Sequence, residues 1–255
     1  MKKQTTLLLI ATLFFSLFCQ FLMPSARDGT IIANCANVVS TVGGLQSGDI
    51  PQHLLDTGRK NGNEFDVNQY FTVLPHLSMH DGYVLDYVYI NDSLGGFPLL
   101  YARPESQAPY TSMKDVPANL QRSDFREYLE VEDVEQGYFE YLVLSMMANQ
   151  FYLDWHANYN DTQIVCTRRD VNAIVESASS GGFGVEMDRA QQAKARAMKD
   201  IEPAVQLTEN TAFVEVITFT KWGGFYRQTY TISRSFPHTI IATKEENLVP
   251  YDCGI

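Results

Sequence analysis

An α+β fold, built mainly from antiparallel strands joined as hairpins and meanders, is what this 255-residue sequence predicts. Three observations carry that expectation. Aromatic and β-branched residues dominate several short apolar segments, and some of them alternate with polar residues at period two. The turns between those segments are too short for the crossover that parallel neighbours need. Only a few windows have helical composition, so about three helices are expected, packed on one face of the sheet.

The chain opens on Lys2-Lys3, an apolar run from Leu7 to Met23, and the small residues Pro24-Ser25-Ala26. Residues 1–26 therefore read as an export signal cut after Ala26, with an uncleaved membrane anchor and a lipid-modified Cys19 as competing readings. All three place the remainder outside the cytoplasm. Residues 27–64 are rich in Gly, Ser, Asn and Asp and predict a loosely ordered leader, with one short helix over Cys35–Val42 that Gly43-Gly44 ends. A single globular α+β domain is expected over residues 65–255.

Within that domain, Phe65, Tyr70, Phe71, Leu74 and Leu77 fall near one face, which predicts a helix over Phe65–Leu77 capped by Asn63. A hairpin follows, with strands Tyr83–Ile90 and Phe97–Ala102 about a turn at Asn91–Gly96. Pro104, Pro109 and Pro117 mark a long excursion. The stretch Tyr138–Trp155 is apolar and rich in aromatic and β-branched residues, and it is read as two strands broken at Ala148-Asn149. A strand at Gln163–Cys166 and helices at Arg169–Ser177 and Asp188–Asp200 come next. The last of these is rich in Ala, Gln and Lys. A closing meander runs through Ala204–Leu207, Ala212–Trp222, Phe225–Ser233 and Thr239–Thr243, with Gly223-Gly224 as a turn.

Hydrophobic residues make up 45% of the chain and aromatics 12%, enough for a packed core rather than a disordered one. The formal charge of −11 becomes more negative once Lys2 and Lys3 are removed. That balance excludes nucleic acid and anionic membrane surfaces as partners of the body, since each demands a basic face, and leaves the membrane only the N-terminal segment. Cys35, Cys166 and Cys253 remain beyond the leader. An odd set in an oxidising compartment predicts one disulfide and one thiol. Cys166 with Cys253 is the expected pair, because Cys253 lies on a tail that needs fastening, and Cys35 with Cys253 is the alternative. No CxxC spacing is present, which argues against a zinc ribbon or a redox pair.

Candidate chemistry is sparse. His76 and His80 stand four apart, and on a helix they could share one face and hold a divalent metal, but the Glu of a zincin is missing and Pro75 disturbs the helix. Tyr152, Asp154, His156 and Asn158 alternate, so a strand there would project them from one face about 7 Å apart. Asp154 could then orient His156 as a general base. Tyr152, Trp155, Asn158 and Tyr87 are candidate binding residues, because strand aromatics can serve as stacking platforms. Tyr83, Tyr87 and Tyr89 share one parity, which suggests a half-wet face. No phosphate loop, dinucleotide fingerprint or hydrolase elbow occurs, and no cofactor is called for. The sequence thus predicts an extracytoplasmic module, secreted or tethered, that binds a small molecule, glycan or peptide or serves the envelope structurally. A hydrolase using Asp154 and His156, metal-assisted through His76 and His80, is the alternative.

Overall fold

The computed structural model describes residues 25–118, 120, 124–159 and 161–254. The apolar run of the expected export segment lies outside the described residues. No helix among those described is long and apolar enough to cross a membrane.

Among the described residues there are ten strands and six α-helices, mixed along the length, and every strand pairing among them is antiparallel. The main sheet has the order β1 (Thr30–Ile31), β7 (Ala204–Leu207), β8 (Thr211–Thr220), β9 (Gly224–Ser233), β10 (Ile240–Pro250). Strand β6 (Gln163–Val165) pairs with β8 beyond the end of β7. The closing meander is therefore present as expected, with β10 running seven residues further than predicted. The loop joining β8 to β9 is Lys221–Gly223, and Gly224 follows at φ +89°. A Cβ on Gly224 would run into the Val249 carbonyl, so glycine is needed there for both conformation and space.

The alternation of β8 explains why helices cover both faces of this sheet rather than one. Ala212, Val214 and Val216 point into a core shared with α4 (Glu135–Met147), whereas Ile217 and Phe219 point into a second core. That second core holds the apolar stripe of α5 (Arg168–Ser179), with Val171, Ile174, Val175 and Ala178, and Ala195 of α6 (Arg189–Arg196). Both helices begin with reciprocal capping boxes, Thr167 with Asp170 and Asp188 with Gln191. The expected helix from Asp188 is present, shorter at its C-terminal end.

Helix α4 occupies the segment read as the first of two strands. Nine of its thirteen residues are buried, on every side of the helix. A helix surrounded by protein shows no amphipathic period, and its Tyr, Phe and Val content then mimics a strand. The helix expected over Phe65–Leu77 is also reduced. A 3₁₀ turn at Val67–Gln69, capped by Asp66 rather than Asn63, leads into the single turn α3 (Tyr70–Val73). Pro75 then stops it, and Leu77–Met79 becomes strand β2, paired with β5 (Leu129–Val131). Tyr70, Leu74 and Leu77 are nonetheless buried, as the periodicity requires.

The segment expected as a leader carries α1 (Cys35–Leu45) and α2 (Gln52–Thr57). It contributes Val38, Val42 and Leu54 to the buried set. Cys35, at the start of α1, is disulfide-bonded to Cys166, with Cα atoms 5.5 Å apart. This replaces the expected Cys166–Cys253 pair. Cys166 faces the α4 core while Cys253 is buried with Tyr251 in the α5–α6 core, so the sheet separates them. A disulfide fits an oxidising, extracytoplasmic environment.

Strands β3 (Tyr83–Asp92) and β4 (Gly95–Pro104) form a separate hairpin, longer than predicted and closed by the two-residue loop Ser93-Leu94. Leu85, Tyr87 and Leu100 face the α4 core, and Val88 and Tyr101 face a small third core with Val116. Of the three tyrosines on that face of β3, Tyr87 (2% exposed) and Tyr89 (1%) are buried rather than wet, and Tyr83 at the start of the strand is half-buried.

Candidate functional site

The outer edge of β3 borders a cleft of about 450 Å³, walled by residues 60–68 on one side and by Pro109–Thr111 on the other. That size suits a small organic ligand. The β4 neighbour of β3 lies on the far side, so the cleft side of β3 would present unpaired backbone groups. Asn68 closes one such position: its Nδ2 donates to the Leu85 carbonyl at 2.9 Å and its Oδ1 accepts from the Leu85 N–H at 3.1 Å. Asp86 Oδ1 accepts from the Tyr87 N–H at 2.8 Å.

Three charged side chains form the floor, each about one-tenth exposed: Lys60 11%, Asp86 10% and Arg103 10%. They come together because Asp86 and Arg103 lie on the same face of the hairpin, Arg103 opposite Val84 and Asp86 opposite Tyr101. Arg103 Nε donates to Asp86 Oδ2 at 3.0 Å, and its Nη1 donates to the carbonyls of Pro104 (3.1 Å) and Gln107. Lys60 Nζ donates to Asp86 Oδ1 at 2.6 Å and lies 4.4 Å from the centroid of the Tyr87 ring. The Lys60 backbone is fixed in turn by its N–H to Thr111 O bond of 2.8 Å. Burial, followed by the Asp86 carboxylate, pushes the Tyr101 phenol well above its ordinary range.

Glu64 is the second buried carboxylate of the cleft, with a side chain 4% exposed. It accepts from the Asn61 N–H (2.6 Å) and the Gly62 N–H (2.9 Å), and pairs with His53 Nε2 at 2.5 Å. Burial raises its pKa, but hydrogen bonds from Asn61, His53 and Gly62 outweigh burial and hold the carboxyl below its ordinary value. Tyr87 lines the cleft and its hydroxyl is buried without a hydrogen-bond partner among the described residues. Burial is the main reason its phenol is pushed far above the usual tyrosine range.

The other residues singled out from the sequence lie elsewhere. Residues 151–154 form no strand, and Trp155–Tyr159 is a 3₁₀ helix, so the expected common face of Tyr152, Asp154, His156 and Asn158 does not exist. Tyr152 and Trp155 have φ of +52° and +47°, which breaks any extended run. The Asp154 backbone N–H is bound to the Gly96 carbonyl at 2.9 Å, and the His156 ring lies 4.1 Å from that of Trp155. Neither Asp154 nor His156 lines the cleft. Trp155 is 61% exposed beside the hairpin tip, and the side chain of Asn158 lies outside what is described. Tyr152 instead supports the cleft wall, its hydroxyl accepting from the Phe65 N–H at 3.1 Å.

His76 and His80 flank β2 rather than sharing a helix face. The three strand residues Leu77–Met79 lie between them, an offset of roughly 13 Å along the chain at ordinary strand rise. Each has its own carboxylate: His76 Nδ1 is 2.8 Å from buried Glu140, and His80 Nδ1 is 2.6 Å from Glu130. Glu140 also accepts from the His76 N–H and from Gln136, a set that ties the approach to β2 onto α4. Among the described residues no group of three or more His, Cys, Asp or Glu side chains could hold a metal.

Of the residues singled out beforehand, only Tyr87 belongs to the cleft. Lys60, Glu64, Asp86 and Arg103 were missed, although Asp86 alone interrupts a strand that otherwise reads Val-Leu-x-Tyr-Val. A charge in that position signals a buried partner. No family model, curated protein or solved structure matches this chain.

Proposed function

We propose that this protein is an extracytoplasmic binding module, secreted or membrane-tethered, whose β3 cleft takes a small molecule, glycan or peptide end. One observation carries this reading over a hydrolytic one: each buried carboxylate of the cleft is already held by three donors. Asp86 is shared by Lys60, Arg103 and the Tyr87 N–H, and Glu64 by two backbone N–H groups and His53. A general acid needs a proton to give, and each donor that a carboxylate already holds makes it a weaker general base. Glu64, held low, stays ionised at neutral pH. The cleft is thus furnished for recognition.

Ligand-observed NMR with a mixed set of small acids, amines and sugars tests this. Binders should lose affinity when the exposed rim residue is enlarged in Pro109→Trp, and all components should remain chemically unchanged over days. Turnover of any component, abolished in His156→Ala, would instead establish the hydrolase. Binding indifferent to Pro109→Trp would move the site elsewhere.

A further inference from the structure

We infer that this protein stays on the membrane that exports it: the apolar run Leu7–Met23 is kept as its tether, and a docked junction, with no loose stalk, joins that run to the body. This rests on the extracytoplasmic reading above and chooses between its two forms. Ser25 Oγ accepts from the Arg27 N–H at 3.2 Å, and Ala26–Asp28 forms a 3₁₀ turn. The turn packs against β7 and β8, and Ala26 is 1% exposed. The Ala26 carbonyl accepts from the Gly29 N–H at 3.1 Å, and the Ser25 carbonyl accepts from the Asp28 N–H at 2.9 Å. A Cβ on Gly29 would run into the Val205 carbonyl, so the chain lies directly on β7 before Thr30 and Ile31 pair with it.

Arg27 fixes the same corner through its side chain. Its Nε donates to Glu215 Oε1 at 2.5 Å, its Nη1 to the Glu202 carbonyl at 2.7 Å, and its Nη2 to the Asp200 carbonyl. The Glu215 side chain is 10% exposed, and Arg227 is its second cation at 3.3 Å. The junction thus belongs to the fold from Ser25 onward. A cut after Ala26 would discard a buried residue, strip the Gly29 N–H of its acceptor and place a new ammonium charge on Arg27. A leader that is thrown away has no cause to be built into the body like this. Pro24 also stands third before that cut, where a small side chain is required, and bulky Phe18 stands where lipid attachment at Cys19 needs one. The run itself reaches the lower end of what spans a bilayer, roughly 17 residues. Only Pro24 separates Met23 from Ser25, a reach of at most about 7 Å, so the body rides at the membrane surface.

The test expresses the full chain in a bacterial host, exported with its disulfide intact. It reads the intact mass, the cell fraction, and the new amino termini made by trypsin added from the extracytoplasmic side. The chain should retain Leu7–Met23 and stay in the membrane pellet through alkaline carbonate washing. Trypsin should cut the Arg27–Asp28 bond of the native protein at least about tenfold more slowly than after unfolding in urea on the same membranes.

A soluble exported chain starting at Arg27 or just upstream of it overturns the tether and leaves an exported binding module standing. An acylated chain starting at Cys19 overturns the apolar run as the tether. Equal cutting of native and unfolded protein at Arg27 overturns the docked junction. Uncut protein in the cytosol with Cys35 and Cys166 reduced overturns the tether in a different way, because it removes the extracytoplasmic reading as well.

Discussion

Two long antiparallel hairpins, β3–β4 and β9–β10, put their charges in opposite places. In β9–β10 the outer strand carries Lys244, Glu245 and Glu246 in water, and residues 241–247 are all exposed. Those charges leave an unpaired edge unattractive to other strands. In β3–β4 the interior is buried on both faces, yet Asp86 and Arg103 lie inside it. Buried ion pairs of this kind add little net stability, because desolvation offsets most of the attraction. The comparison teaches that charge on the outer hairpin serves solubility. On the inner one it needs another reason, and the proposed role of the cleft would supply it.

The largest expected difference comes from deleting one charge in each hairpin. Asp86→Ala leaves Lys60 and Arg103 buried and unpaired and should cost about 3–5 kcal/mol in urea unfolding. Glu245→Ala should change stability by no more than about 0.5 kcal/mol. Similar losses in the two variants would erase the distinction.

The hairpin ends give the next largest effect, and here the two should agree. Gly95 has φ +120° with the Asp154 carbonyl where a Cβ would sit, and Gly224 has φ +89° against Val249. Gly95→Ala and Gly224→Ala should each lower stability by about 1–3 kcal/mol in thermal or chemical unfolding. A neutral result at either position would show that its loop can rearrange.

Acid sharpens the comparison further. Glu64 is held below its ordinary value of 4.5 in the folded chain, so its contribution is fully present above that pH. It is lost as pH falls through the folded-state pKa. Unfolding measured from pH 6 to pH 2 should therefore show a shallower acid-side decline in Glu64→Gln than in the parent. An identical slope would mean that its hydrogen bonds do not lower the carboxyl. The smallest change is Tyr87→Phe. It removes a buried hydroxyl with no partner among the described residues, and it should be neutral or stabilising by up to about 1 kcal/mol. A clear loss would reveal a hydrogen bond to water at that hydroxyl.

Where local sequence and tertiary surroundings agree, the fold was readable in advance. The meander from Ala204, the β3–β4 hairpin and the capped α6 each carry their own turn or cap signals. Helix α4 was not, because Tyr138, Phe139, Tyr141, Leu142 and Val143 are all buried and no face is left polar. The disulfide partner was hidden for a different reason: which side of the sheet a cysteine faces depends on parity in β6 and on α1 docking beside it. The cleft was least legible. Lys60, Asp86 and Arg103 sit in three separate segments, and only the hairpin register and the anchoring of Lys60 to Thr111 unite them.

The grip of Asn68 on Leu85 has a bearing on what can enter. By answering both the amide and the carbonyl of one residue, that side chain impersonates a neighbouring strand and blocks the border of the hairpin there. An incoming polypeptide therefore cannot zip on as an extra ribbon along this border. Whatever is recognised must be read by side chains, and a peptide could offer only its terminus.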